Sequence, residues 1–140
     1  AVKGVPDSMA GADSLKGTYS GNPLCCAAAL AVLDVLAEDD LVMRAARIGV
    51  QIAAMVAEIC VVHGDVIAWG DGFGFFHSIH LHDPALCDAI VLECARRGVL
   101  LCRTGPRGYL KITPPLTIPE DALREAMQVI GEVFETCVTT

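Results

Sequence analysis

The sequence predicts an α+β fold: a small antiparallel sheet with helices packed on one side. Three observations predict it. In several segments apolar residues recur every three or four positions, which is the helical period. Around the third such segment the period drops to two, that of a half-buried strand. Glycine, proline and acidic residues separate the segments, giving the order helix, helix, strand, strand, helix, strand, strand, helix. Helices gathered on one face of an antiparallel sheet make an α+β layer arrangement.

The first 22 residues are loop-like and end on Gly17-Thr18-Tyr19-Ser20-Gly21-Asn22. Asn22 is a favoured N-cap, because its side-chain oxygen can accept a free N–H of the first helical turn. Pro23 suits the first helical position, where a missing N–H costs nothing. A helix is predicted from Pro23 to about Ala37. It is apolar on several faces (Leu24, Ala27, Ala28, Ala31, Val35), so burial is expected. Glu38-Asp39-Asp40 breaks the pattern and can cap a second helix. Its core face would be Leu41, Ala45, Ile48, Ile52, Met55 and Ile59.

From Val61 the period changes. Val66 to Trp69 reads as a short strand, with Asp71-Gly72 as a two-residue hairpin turn. Phe73 to Leu81 alternates, placing Phe75, His77, Ile79 and Leu81 on one face and Phe76, Ser78 and His80 on the other. Asp83-Pro84 starts a third helix with Leu86, Ile90 and Cys94 on one side, and Gly98 ends it. Val99 to Cys102 and Tyr109 to Thr113 read as strands around a polar loop. Thr117 and Glu120 form a capping box for a last helix, whose core face is Leu123, Met127, Ile130 and Phe134.

Composition narrows the function classes. The chain has 140 residues and is 54% hydrophobic. Such a chain has either a well-filled core or a partner that covers part of it. No apolar run is expected to reach the length needed to cross a bilayer, and Ala1-Val2-Lys3-Gly4 does not open like a signal peptide. Net charge is −7 and the basic residues are scattered, which argues against nucleic acid as a partner. The seven cysteines include no C-x-x-C pair. Buried free thiols in a reducing, cytoplasmic setting are the simplest reading.

Gly17 to Leu24, followed by an alanine-rich helix, resembles the class III (omega) aminotransferases, which use pyridoxal phosphate. Leu110-Lys111-Ile112-Thr113-Pro114-Pro115-Leu116-Thr117-Ile118 resembles that family's near-terminal signature. The likeness covers essentially the whole chain. It implies the C-terminal domain of the fold-type I transferase fold plus the preceding interface helix. Residues 1–22 would end the cofactor domain, 23–60 would be connecting and interface helices, and 61–140 the small C-terminal domain. It further implies a homodimer in which Thr18, beside Gly17, contacts the cofactor phosphate held by the neighbouring subunit. Glycine-bounded loops are suited to that, since the backbone can approach an anion closely.

Lys111 stands where many members have an arginine that pairs with the substrate carboxylate. Lysine offers a point charge and not the bidentate fork. Substrate type is thereby left open, as is a same-scaffold aminomutase or phospho-lyase. The chain's lysines are Lys3, Lys16 and Lys111, and none lies in the family's Schiff-base context. The expectation is therefore a C-terminal fragment of a transaminase, inactive alone, whose parent moves an amino group between an amino donor and a 2-oxo acid. The alternative from another class is a non-catalytic interaction module. His80 and His82 could share a strand face as an H-x-H pair, but no further ligand has convincing metal spacing, so no metal is expected. Arg103 to Gly108 could hold an anion, although solvated loop arginines are the default.

Overall fold

The computed structural model describes residues 17–105 and 108–138. The elements follow the predicted order: α1 (Pro23–Glu38), α2 (Leu41–Val62), β1 (Ile67–Phe73), β2 (Phe76–Leu81), α3 (Leu86–Arg96), β3 (Cys102–Thr104), β4 (Tyr109–Ile112) and α4 (Glu120–Val138). The strands form one antiparallel sheet in the order β1-β2-β4-β3.

Residues 1–40 and 41–140 are separate compact units. The sequence suggested breaks after 22 and 60, whereas α2 groups with the sheet. The reason is its apolar face: Ile48, Ile52, Val56 and Ile59 are buried in the core shared with the strands and α4.

In the first unit, Asn22 caps α1 as expected. Its Oδ1 accepts the Leu24 and Cys25 N–H groups at 3.0 and 3.2 Å. The burial expected of this helix is not found, because no residue of α1 is buried. Leu24, Leu30, Val32, Leu33 and Val35 are all exposed.

In the second unit, Gly70-Asp71-Gly72-Phe73-Gly74 differs from its sequence reading. Phe73 pairs with Phe76, so the two-residue turn is Gly74-Phe75 and not Asp71-Gly72. Gly74 has φ +59°, which suits the first central position of a tight hairpin turn. Gly70 and Gly72 are strand residues facing α2. A Cβ on Gly70 would lie 2.7 Å from Cys60 Sγ and 2.9 Å from Val56 Cγ1. A Cβ on Gly72 would collide with the His77 ring and the Phe76 carbonyl. Gly70 lets helix and sheet approach closely and Gly72 leaves room for the His77 ring of β2, packing signals that resemble a turn signal in sequence.

The predicted face alternation of β2 holds. His77, Ile79 and Leu81 face the core, with Leu110 and Ile112 of β4 beside them. Leu123, Met127, Ile130 and Phe134 of α4 are buried as expected, and Val133 joins them. The capping box does not form as drawn, since α4 begins at Glu120 and Pro119 takes the cap position. Its carbonyl accepts the Leu123 N–H at 3.0 Å. Strand β3 begins later than expected, at Cys102, because pairing runs Cys102–Lys111, Arg103–Leu110 and Thr104–Tyr109. By length and composition α2 is long and apolar enough to cross a membrane, contrary to the sequence expectation. Its buried isoleucines show it acting as a core helix of this unit.

Gly49 of α2 meets the hairpin turn directly, and a Cβ there would lie 2.6 Å from Gly74 Cα. Gly49→Ala should therefore lower the unfolding free energy by about 1–3 kcal/mol, the range for overpacking a tight contact. Gly64→Ala meets only carbonyl oxygens at 3.5 and 3.8 Å and should cost less than about 0.5 kcal/mol, both changes being read by urea titration.

Candidate functional site

Helices α2, α3 and α4 lie over one face of the sheet, and the opposite face carries most of its chemistry. Pairing places Trp69, His80, Tyr109 and Thr104 in one row across that face. The next row is Asp71, Ser78, Lys111 and Cys102. Phe73 and Phe76 pair beyond it. A polar row thus lies between aromatic ones, with Trp69, Phe73 and Phe76 at 51%, 89% and 53% exposure.

The aromatic row is stacked. The His80 ring lies 3.6 Å from that of Trp69, at 8° between planes, and 4.8 Å from that of Tyr109, at 25°. Burial pushes the His80 pKa below its usual value, partly offset by the nearby Asp71 carboxylate. Its Nε2 lies 3.1 Å from Ser78 Oγ, which in turn is 3.4 Å from the Asp71 carbonyl oxygen.

Lys111, the candidate substrate contact, is on this face. Its Nζ sits 4.9 Å from the Phe76 ring centroid, a cation–π contact that restrains a flexible stem. It also borders a cleft of about 510 Å³ lined by Val99, Leu101, Ile112 and the α4 residues Leu123 and Met127. Arg44, which sequence reasoning missed, braces the segment after β4. It donates to the Leu116 carbonyl at 2.7 Å and to the Ile118 carbonyl at 2.5 Å. No spacing signal marks it, because its partners lie over seventy residues away.

Gly17 and Thr18 lie in the first unit, in a turn closed by Ser20 N–H to the Gly17 carbonyl at 3.0 Å and Asn22 N–H to the Tyr19 carbonyl at 3.1 Å. A Cβ on Gly17 would lie 2.8 Å from Ser20 Oγ, the tip of an exposed side chain that can turn aside. Thr18 is exposed. Because Asn22 already takes two amides at the start of α1, an anion at this loop would be met by Thr18 and not by those amides.

His80 and His82 do not form a pair. His82 lies beyond the end of β2 and its Nε2 is 3.3 Å from the Gly64 carbonyl oxygen, while His80 is held in the stack. Among the described residues, no group of three His, Cys, Asp or Glu could hold a metal ion. Arg103 is an ion-pair partner of Asp88 at 3.4 Å, while Pro106 and Arg107 of the candidate anion loop lie outside the described residues, as do Lys3 and Lys16.

Two outcomes test this arrangement. Arg44→Met should destabilise the second unit by about 2 kcal/mol in chemical denaturation, since two carbonyls lose a charged donor. The His80 pKa is lowered on folding, so its stabilising contribution is complete above the unfolded-state value near 6.5 and falls as pH drops through the folded value. His80→Phe should flatten the decline of melting temperature between about pH 7 and pH 5.

The family model described as aminotransferase class-III matches residues 5–134. The 5-aminovalerate aminotransferase of Pseudomonas aeruginosa is 34% identical over 129 residues, covering 86% of this chain and 30% of that protein. Among solved structures, the acetylornithine aminotransferase of Elizabethkingia anophelis aligns with TM-score 0.78 and 27% identity, over 86% of this chain and 30% of that one. An Arthrobacter phospholyase in complex with phosphoethanolamine aligns with TM-score 0.79 and 28% identity, over the same shares. The chain spans about 30% of the length of these relatives.

Proposed function

Because the chain belongs to the class III aminotransferases, we propose that it is the C-terminal part of a pyridoxal-phosphate-dependent transaminase. That enzyme would move an amino group from an amino donor to a 2-oxo acid. Relatives in this family depend on pyridoxal phosphate. The observation that carries the proposal is the pairing of two motifs of different chemistry in one short chain. One is a phosphate-suited turn at Gly17 and Thr18. The other is an ammonium, Lys111, fixed on the open face of the sheet.

When bound, the cofactor supplies the electron sink that lets an amino group leave one carbon and join another. The residues of this chain would bind and orient. Thr18 would donate its hydroxyl to the cofactor phosphate, with Gly17 allowing close approach. We assign that contact to a neighbouring subunit of a homodimer, for which the uncovered apolar residues of α1 offer a surface. Lys111 would hold the acid group of the substrate. The lysine that carries the cofactor would come from outside these 140 residues, so the chain alone should not transaminate. A cytoplasmic setting suits seven cysteines that are all free, although Cys25, Cys26 and Cys102 are exposed and not buried as the sequence suggested.

A second reading, a phospho-lyase, is favoured by one residue. A lysine point charge suits phosphate as readily as carboxylate, and one of the aligned structures is a phospholyase in complex with phosphoethanolamine.

The complete protein, loaded with pyridoxal phosphate and given an ω-amino acid such as 5-aminovalerate with 2-oxoglutarate, should yield glutamate. Release of inorganic phosphate from phosphoethanolamine without glutamate would favour the lyase instead. Thr18→Val should weaken cofactor affinity about tenfold or more, the scale of one hydrogen bond to a charged group, read by absorbance titration.

A further inference from the structure

We propose that Ser78 is a second substrate-contacting residue, paired with Lys111 to hold a carboxylate, and that His80 positions its hydroxyl. This rests on the reading that Lys111 receives the acid group of the substrate.

A single ammonium satisfies one carboxylate oxygen well and leaves the other in need of a donor. Ser78 lies directly opposite Lys111 across the β2–β4 pair, on the same face. Directly paired residues have Cβ atoms about 5 Å apart, so one carboxylate can reach both side chains. On the other side of Lys111 the paired residue is Cys102, whose thiol is a weak donor. Ser78 is therefore the stronger of the two donors directly paired with the ammonium.

Its hydroxyl is also prepared. With the proton of neutral His80 on Nε2, that nitrogen donates to Ser78 Oγ at 3.1 Å, leaving the serine hydrogen to point elsewhere. Its present acceptor is the Asp71 carbonyl at 3.4 Å, a long contact that a carboxylate oxygen would replace. Stacking between Trp69 and Tyr109 prevents the imidazole from turning away.

The same row indicates the class of anion. Asp71 stands on the far side of Ser78, and its Oδ1 accepts the Gly72 N–H at 2.7 Å. The row holds one ammonium and one carboxylate, so its net charge is near zero. A carboxylate group, which brings a single charge to the contact, fits between Ser78 and Lys111, whereas phosphate, with two charges on one group, would be repelled by Asp71.

The test uses the complete, cofactor-loaded enzyme with two probes: glutarate, an unreactive dicarboxylate, and inorganic phosphate. Inhibition constants and calorimetric affinities are measured for each variant. Ser78→Ala should weaken glutarate binding about 5- to 10-fold, while Ser78→Thr retains it. His80→Phe keeps an aromatic ring in the stack but lacks Nε2. It should weaken glutarate binding about 3-fold alone and add nothing in the Ser78→Ala background. Phosphate should bind more weakly than glutarate to the parent enzyme. Lys111→Met with unchanged glutarate affinity would overturn the underlying reading. Loss in Lys111→Met with none in Ser78→Ala would overturn this assignment alone, as would tighter binding of phosphate than of glutarate. If Ser78→Ala fails to fold, Ser78→Cys, close in size and a weak donor, should show the same loss.

Discussion

The close approach of α2 to the β1–β2 hairpin is the constraint on which the second unit depends. Gly70 removes a side chain from the strand where it meets Val56 and Cys60, and Gly49 removes one from the helix where it meets Gly74. With those side chains absent, Ile48, Ile52, Val56 and Ile59 reach the sheet and become buried. Interiors packed to crystalline density leave no space for an added methyl group at such a contact. The seating of α2 commits one face of the sheet to the core. Lys111, Ser78 and His80 are then on the opposite face because strand residues alternate.

Electrostatics reinforces that packing at long range. Arg44 on α2 fixes the segment between β4 and α4 through two carbonyls. Arg97, just after α3, reaches Glu93 at 3.0 Å and Thr136 of α4 at 3.1 Å. The Arg97 and Arg96 guanidiniums hold the Glu93 carboxyl below its ordinary pKa range. Exposed ion pairs contribute little each. Arg44 differs because its partners are partly buried backbone groups, which would otherwise lose hydrogen bonds without gaining water. The Cys94 thiol, fully buried between α3 and α4, is pushed up to about 11 by burial and stays a packing group.

Most of the fold was legible in the sequence, for reasons that are local. The period change near Val61, the Asn22-Pro23 start and the Gly98 stop each depend on residues within one or two turns. The misreadings were non-local. Gly70 and Gly72 looked like a turn because their packing partners, Val56, Cys60 and His77, cannot be seen in the local string. Expecting α1 to be buried followed from its composition, but composition records only that a surface is apolar and not what covers it. The candidate site divides in the same way. Lys111 was legible through a resemblance, whereas its relation to Ser78 and His80 exists only once the β2–β4 register is known.

The two functional motifs lie in different compact units, Thr18 in residues 1–40 and Lys111 in residues 41–140. In the proposed reading this separation is consistent with the chemistry, because the motifs serve different groups. Thr18 needs only a well-formed turn, which Gly17, Ser20 and Asn22 provide within a few residues. Lys111 needs a precisely placed neighbour to compensate for the missing guanidinium fork, and only a sheet register provides that. A loop suffices where one hydroxyl meets one phosphate oxygen. A rigid sheet, braced by α2 and by the Trp69–His80–Tyr109 stack, is required where two donors must share one carboxylate.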